Sequence, residues 1–178
     1  MSGRVRPATA AELETVAAIH TQAWREAYAG LIPEPAASGM SFGERVATWR
    51  PRFKGEAAGR GLWLGLDGDG VPSGFVAGGA RRADGPDAEA EIHALYVLAR
   101  ARRQGLGRAL MRAAARSLAA QGFASLGLWV LAVNAGAIAF YRDLGAVPGR
   151  TQSFAIGSVS LVETAMLWPD LPALAVAA

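Results

Sequence analysis

An apolar run near the middle of the chain leads directly into a basic turn with two glycines and then into an alanine-rich helical pattern. The stretch reads LYVLARARRQGLGRAL and covers residues 95–110. Where a strand feeds a helix through glycines, free backbone N–H groups and the positive end of the helix dipole form an anion site. Four arginines crowd this helix start, although each interacts unfavourably with the dipole by about 0.3–1 kcal/mol. The stretch therefore predicts a bound phosphate; the alternative is a solvated surface cluster whose repulsion is screened by salt.

The amino-acid sequence of this turn does not match two common phosphate-binding motifs. A P-loop requires G-x-x-x-x-G-K-S/T, which the chain does not contain. A dinucleotide fingerprint requires G-x-G-x-x-G, but Leu110 occupies the position of the third glycine. The next apolar run, SLGLWVLAV, also ends without the acidic residue that binds a ribose. Both motifs are therefore disfavoured.

The rest of the chain alternates between helical and strand patterns. Thr9 and Glu12 fit a capping box that opens a helix over residues 10–29, and a second helix is expected after Ser41. A loop over residues 51–61 leads to three apolar runs, which predict antiparallel strands. A helix, a strand, a helix and a hairpin follow, and the terminal PALAVAA is expected to be a frayed or docked tail. The order β-α-α-β-β-β-α-β-α-β-β predicts an α/β domain with a mixed sheet.

Composition narrows the function classes. A chain of 178 residues with 52% apolar and 19% charged residues is expected to form one globular domain over residues 1–178. It has no run of about eighteen apolar residues and no apolar segment behind its basic start, which predicts a cytoplasmic protein without a membrane partner. The absence of cysteine excludes disulfides, thiolate zinc sites and a cysteine acyl-enzyme, and we predict no metal site. The net charge of +3, carried almost entirely by arginine, indicates an anionic ligand.

Two motifs together resemble the GNAT N-acetyltransferase superfamily. The basic turn fits the coenzyme A signature R/Q-x-x-G-x-G/A at Arg102, Gly105 and Gly107. Further along, NAGAIAFYRDLGA fits the pattern N-x-x-A-x-x-F-Y-x-x-x-G-F/A, matching it at Asn134, Ala137, Phe140, Tyr141 and Gly145. The order of elements also fits over nearly the whole chain. Ala99 and Ala146 depart from the pattern, since they stand where proline and phenylalanine are frequent.

The resemblance implies the GNAT acyltransferase fold, a mixed but mostly antiparallel sheet with about four helices, splayed between its fourth and fifth strands. Acetyl-CoA, as co-substrate, would lie in that gap with its pantetheine arm against Leu95, Tyr96 and Val97. Its pyrophosphate would contact the N–H groups of Gln104 through Arg108, and one or more arginines would neutralise its phosphates. The residues implied in coenzyme binding are Leu95, Tyr96, Val97, Arg102, Arg103, Gln104, Gly105, Leu106, Gly107, Arg108, Asn134, Ala137, Phe140 and Tyr141.

Acetyl transfer to an amine needs an acid for the departing thiolate and a base for the amine. The resemblance implies Tyr141 as the acid; the alternative is a tyrosine that only packs in the core. Asn134 fits a helix N-cap and, by resemblance, a contact with the pantetheine or acetyl end. Glu91 and His93 lie two apart and so share one strand face, which makes Glu91 the first candidate for the base and His93 the second. Because Glu89 shares that face, a solvated strand surface is the alternative.

The acceptor is expected to approach from the side of the first two helices, where Trp24 and Tyr28 would form a wall, although the helical spacing of Trp24 also fits a core position. Acidic residues that would attract a cation there are Glu26, Glu34 and Glu44. Without cysteine, transfer to a primary amine would be direct, within a ternary complex. A silent acyl-CoA sensor is the second hypothesis, and a nucleic-acid binder, suggested only by the pI, ranks third. The expected partner is therefore a small-molecule or peptide amine, without nucleic acid; a homodimer stays open.

Overall fold

The protein is built on one seven-stranded sheet. A computed structural model describes residues 4–34, 36–54 and 61–176. Its strands are β1 (Arg4–Pro7), β2 (Leu62–Leu66), β3 (Pro72–Ala80), β4 (Ala90–Val97), β5 (Leu126–Leu131), β6 (Val147–Ile156) and β7 (Val159–Trp168). They lie in the order β1-β2-β3-β4-β5-β7-β6, and only the pair β4 and β5 is parallel among these strands. The predicted mixed and mostly antiparallel sheet is confirmed.

Helices cover both faces of the sheet. In the described part of the chain they are α1 (Leu13–Tyr28), α2 (Phe42–Trp49), α3 (Leu106–Ala120), α4 (Ala135–Asp143) and α5 (Leu171–Val176). The first two begin as their sequences predict. A short 3₁₀ turn precedes α1, and there the N–H of Thr9 donates to the Glu12 carboxylate over 2.7 Å. At α2, the N–H of Ser41 donates to Glu44 over 2.8 Å and the Ser41 hydroxyl accepts from the Glu44 N–H over 3.3 Å.

The described residues form three apolar clusters, and the two largest stabilise the sheet, one on each face. The side chains of α1 and α2 pack on β2 to β4, and those of α3, α4 and α5 pack on the opposite face. In α3 the apolar residues recur at helical spacing, and Leu110, Met111 and Leu118 have no exposed surface. Each such side chain contributes about 1.5–3 kcal/mol through its burial. The helices thereby fix the positions of β4 and β5 from both sides.

The strands β4 and β5 separate after two paired positions. Ala90 pairs with Leu126 and Glu91 with Gly127, and no later residue of the two described strands is paired across this junction. Both strands nevertheless continue, β4 to Val97 and β5 to Leu131. The splay implied by the resemblance is confirmed, and it leaves one edge of β4 without a backbone partner in the sheet.

A β-bulge at His93 changes which side chains of β4 face each layer. Ala77 pairs with Ala94 and Gly78 with Ile92, so His93 is an extra residue between them. Beyond the bulge, Leu95 packs with Ile92 in the α3 core, although the period of two would place them on opposite faces. The strict alternation that the sequence predicts for this strand therefore fails at His93.

The structure describes the predicted C-terminal tail in full up to residue 176, and the predicted loop over residues 51–61 only in part. The predicted tail is docked, because α5 buries Leu171, Leu174 and Ala175 against the α3 core. The predicted loop over residues 51–61 begins with a 3₁₀ turn at Arg50–Phe53, and its residues 55–60 lie outside the described part of the chain.

Candidate active site

The gap between the splayed strands opens into a cleft of about 640 Å³. Its walls come from the end of α1, the outer half of β4, the turn before α3, the middle of β5, and α4. The residues of the predicted coenzyme set that line it are Leu95, Tyr96, Val97, Arg102, Arg103, Gly105, Gly107, Arg108, Asn134, Ala137, Phe140 and Tyr141. Gln104 and Leu106 do not line it. The Leu106 side chain is buried in the core and the Gln104 amide donates to the Arg100 carbonyl over 2.9 Å, so neither side chain faces the cleft.

The turn between β4 and α3 has the backbone geometry of an anion site. Arg103 has a φ of 62° and Gly105 a φ of 82°, left-handed conformations that bend consecutive N–H groups toward one concavity. For Arg103, which carries a side chain, this conformation is strained, as is frequent at functional sites. The Ala109 N–H donates to the Gly105 carbonyl, whereas those of Leu106, Gly107 and Arg108 have no backbone acceptor in the described chain. These N–H groups and the positive helix end suit a phosphate.

Two of the four crowded arginines already have partners within the protein. Arg100 lies 3.5 Å from the Asp67 carboxylate. Arg102 donates from Nε to the Val97 carbonyl over 2.9 Å and lies 3.5 Å from the Glu26 carboxylate. Both arginines therefore brace the turn against α1 and β3, and their proximity to the helix dipole is offset by carboxylates.

The other two arginines, Arg103 and Arg108, line the cleft and form no ion pair with a described residue. Guanidinium groups bind phosphates through paired hydrogen bonds. Arg103 and Arg108 are thus the side chains that can neutralise a phosphate bound at the turn. The sequence alone did not indicate which of the four arginines these would be.

All three tyrosines of the chain meet at the other end of the cleft. The Tyr28 phenol interacts with the Tyr96 phenol and with the Asn134 side chain. Asn134 also caps α4, since its side chain accepts from the Ala137 N–H over 3.1 Å. The N-cap interpretation of Asn134 is therefore confirmed, and the same residue lies beside the tyrosines.

Tyr141 is the tyrosine that the second motif singles out. Its side chain is buried, with the ring held in edge-to-face contacts against Phe140 at 5.3 Å and Trp168 at 6.0 Å between centroids. Burial, followed by the proximity of Tyr28, raises the pKa of the Tyr141 phenol. Its hydroxyl forms no hydrogen bond with another described residue, so a protonated donor stands ready at the cleft wall.

Glu91 is placed behind the cleft rather than in its wall. Its side chain has no exposed surface and forms a close ion pair with Arg82. Its Oε2 also accepts from the Arg82 backbone N–H over 3.0 Å, and the Arg82 Nε lies 3.2 Å from both oxygens. Direct proton transfer to Glu91 would require Arg82 to move away.

His93 lines the cleft, and its ring connects Glu91 to another arginine. Nε2 lies 3.8 Å from the Glu91 Oε2, and Arg52 Nη2 makes a short contact with Nδ1. Because a guanidinium can only donate, Nδ1 accepts and the ring proton of a neutral imidazole lies on Nε2. Burial and then the charge of Arg52 lower the pKa of His93 to about 4, so the ring is neutral at pH 7.

The two aromatic residues predicted to form the acceptor wall take different positions. Tyr28 lines the cleft. Trp24 lies behind it, where its ring contacts Tyr28 at a tilt of 59° with 4.5 Å between centroids, and its N–H donates to the Ala36 carbonyl over 3.1 Å. Trp24 therefore supports Tyr28 and is not among the residues of the cleft wall.

No sequence motif marks Glu163, a half-buried carboxylate on β7 near this region. Burial raises its pKa, although the Gln152 amide donates to Oε1 over 2.7 Å. Its charge acts on Tyr28, Arg82 and Glu91 across the open edge. It lies in a hairpin that no motif covers, so only the tertiary structure brings it close.

Two other kinds of feature, a metal-binding cluster and a membrane-spanning helix, are absent from the described residues. No three or more His, Asp or Glu side chains there cluster in a way that could hold a metal ion. None of the described helices has both the length and the apolar character needed to cross a membrane.

Comparison with known proteins identifies the fold family. The sequence profile of the Acetyltransferase (GNAT) family matches residues 16–146. The chain belongs to the GNAT acetyltransferases. An uncharacterized N-acetyltransferase, YuaI of Bacillus subtilis (strain 168), is 31% identical over 170 residues, which cover 96% of this chain and 95% of that one.

Solved acetyltransferase structures share the fold. A putative acetyltransferase, yncA from Salmonella typhimurium, solved with acetyl-CoA, superposes with a TM-score of 0.70 at 20% identity, covering 96% of this chain and 95% of that one. A phosphinothricin acetyltransferase from Sinorhizobium meliloti, in complex with acetyl-CoA, has a TM-score of 0.70 at 21% identity, covering 96% and 89%. The predicted family and fold are thereby confirmed.

Proposed function

We propose that this GNAT protein transfers an acetyl group from acetyl-CoA directly to a primary amine. The observation that carries the proposal is one continuous cleft with a phosphate-binding turn at one end and a protonated, unpartnered tyrosine at the other. The cleft runs along the unpaired edge of β4 between them. Such a cleft suits a long ligand with phosphates at one end and a reactive thioester at the other.

The coenzyme is bound by groups that are otherwise unused. The free N–H groups at the start of α3 and the Arg103 and Arg108 guanidinium groups take its phosphates. The unpaired edge of β4 from Leu95 to Val97 offers backbone groups to its pantetheine amides, apart from the Val97 carbonyl, which already accepts from Arg102. Relatives solved with acetyl-CoA, such as the Salmonella protein, support this assignment.

Tyr141 acts as the acid in the proposed reaction. The amine attacks the thioester carbonyl, the C–S bond breaks, and the departing thiolate takes the phenolic proton. The raised pKa of Tyr141 keeps it protonated at pH 7 and makes the tyrosinate that forms transient, since solvent returns the proton. Asn134 and Tyr28, which interact beside it, hold the acetyl end in place.

The proton of the acceptor ammonium leaves toward His93, with Glu91 behind it. His93 is favoured over Glu91 because it lines the cleft, whereas Glu91 is enclosed by Arg82. Nδ1 is the unprotonated nitrogen and accepts this proton once Arg52 releases it, while the buried Nε2 keeps its own proton. The Glu91 carboxylate, 3.8 Å away, then stabilises the imidazolium.

Release of free thiol from acetyl-CoA, measured with an amine panel and a thiol reagent, tests the function. The cysteine-free chain contributes no background. Tyr141→Phe is expected to lower kcat by about 10²–10⁴-fold with an unchanged Kd for CoA. Intersecting double-reciprocal lines are expected for direct transfer, and parallel lines would contradict it. CoA binding without turnover on any amine would instead support a silent acyl-CoA sensor.

A second series tests the base. His93→Ala is expected to lower kcat/KM strongly for amines that are protonated at pH 7, and little for weakly basic amines that are already neutral. Trp24→Phe, behind the wall, is the matched control and is expected to affect both amine classes alike. An equal loss for both classes in His93→Ala would assign His93 a structural role.

A further inference from the structure

Arg45 is the feature of the acceptor side that the proposed reaction does not explain. It lies in the first half of α2 and is only 7% exposed. Its Nε is buried without a hydrogen-bond partner, and its guanidinium forms no ion pair with any residue that the structure describes. An unpaired buried cation is destabilising by several kcal/mol, whereas a bound anion would offset that loss.

The other arginines show how unusual this is. The five that form ion pairs, Arg6, Arg82, Arg100, Arg102 and Arg150, have side chains between 38% and 54% exposed. Each has a carboxylate although water could solvate its charge, and Arg45, which water barely reaches, has none. Burial lowers the pKa of Arg45, in agreement with this loss of solvation.

Arg45 is not among the residues of the cleft wall, and its surroundings place it directly behind the acceptor side of that wall. Its guanidinium lies over the Trp24 ring, 5.1 Å from the centroid, and interacts electrostatically with Tyr28 and Tyr96. Both tyrosines line the cleft at the end where Tyr141 lies. The coenzyme phosphates have their own arginines at the opposite end, so Arg45 is available for a different anion.

The rest of the same wall is also basic. Arg52 follows α2, is half-buried and contacts His93 without a carboxylate partner in the described chain. The acidic residues expected to attract a cationic acceptor are occupied elsewhere. Glu26 accepts from the Ala99 N–H over 2.6 Å, Glu34 from the Ser38 N–H over 3.1 Å, and Glu44 caps α2.

We propose that the acceptor is a small primary amine that also carries a carboxylate or similar oxyanion, as an amino acid does, and that Arg45 binds this acidic group. The inference rests on the proposed acetyltransferase function and specifies its substrate class. The amine faces the thioester, and the acid extends past Tyr28 and Tyr96 toward α2 to reach Arg45. Bidentate pairing with a guanidinium suits a carboxylate and gives no comparable contact to a neutral amide.

Matched pairs of acceptors test the proposal. We expect α-amino acids to exceed their amides by at least tenfold in kcat/KM, expressed per unprotonated amine. Arg45→Met should lower kcat/KM for the acids at least tenfold more than for the amides and so remove the preference, whereas Arg45→Lys should keep part of it. Arg50→Met is the control, because Arg50 is exposed just after α2. Equal kcat/KM for acids and amides in the wild type, or an equal loss for both in Arg45→Met, would overturn the proposal.

A binding measurement separates this proposal from the function on which it rests. Calorimetric titration of N-acetyl amino acids in the presence of CoA requires no turnover. Binding that is weakened at least tenfold by Arg45→Met supports the acid site even if no amine is acetylated, in which case only the proposed reaction fails. Equal binding by wild type and variant contradicts the acid site even if simple amines are acetylated.

Discussion

The buried His20 gives a prediction whose size follows from the structure. His20 lies on α1, is 7% exposed, and stacks against Tyr96 of the cleft with 4.4 Å between ring centroids. Its Nδ1 accepts from the Trp49 indole N–H over 3.0 Å, which joins α1 to α2. Burial, with a smaller effect of Arg45, lowers the pKa of His20 to about 3. The folded protein therefore holds this ring neutral at pH values where an unfolded chain protonates it.

The direction of the pH effect follows from proton binding. Between the unfolded pKa of about 6.5 and the folded pKa, the unfolded state binds more protons, so acidification favours unfolding. The contribution of His20 is complete above that unfolded value and falls by about 1.4 kcal/mol per pH unit once the unfolded histidine is protonated. Between pH 7 and pH 5 the free energy of unfolding should therefore decrease by about 2 kcal/mol through His20 alone.

Urea unfolding followed by far-UV circular dichroism at pH 7, 6 and 5 measures this effect. His20→Asn keeps an acceptor for the Trp49 N–H but cannot titrate, so it should lose about 2 kcal/mol less than the wild type over this range. Trp49→Phe removes the donor and keeps the histidine, and it should retain the wild-type pH dependence. If His20→Asn shows the full wild-type loss, the assignment of a neutral buried His20 is wrong.

Two further predictions concern the coenzyme end of the cleft. Gly107→Val should weaken CoA binding at least tenfold, or by about 1.4 kcal/mol, because a Cβ at Gly107 would already lie 3.3 Å from Phe140 Cζ. Gly43→Val is the control, since Gly43 is likewise the second residue of its helix, α2. A Cβ at Gly43 meets no atom within 4 Å, so CoA binding should be unchanged. Arg108→Gln should weaken binding of acetyl-CoA and flatten its salt dependence without affecting phosphate-free S-acetylpantetheine. Arg116→Gln, at an exposed position on the same helix, is the control for Arg108→Gln. If Arg108→Gln weakened the binding of both ligands equally, Arg108 would not act through phosphate.

The sequence predicted those parts of the site that local patterns encode. The turn at Arg102–Arg108 and the cap at Asn134 depend on neighbours within a few residues, and both have the expected form. Tyr141 was found through a motif with fixed spacing along one helix. These features follow from backbone geometry and from helix ends that must satisfy their own N–H groups.

The side chains that contact the two candidate bases, Glu91 and His93, could not be predicted from the sequence. Glu91 and His93 share a face, as the strand period requires, and they lie within 3.8 Å of each other. The partners that decide their chemistry, Arg82 and Arg52, come from segments whose approach no local pattern specifies. One extra residue in β4 then shifts the faces of all the residues after it, because side-chain direction in a strand alternates with a period of two.

The sequence by itself determined the order of the strands and of the first four helices, the basic glycine turn before α3 and the family to which the chain belongs, because each depends on residues close together or on fixed spacings. Only the tertiary structure decided that three tyrosines meet at one end of the cleft, that Arg100 and Arg102 are already paired, and that Arg45 is buried without a carboxylate. Ion pairing and burial depend on which distant segments pack together, and packing is a property of the whole core.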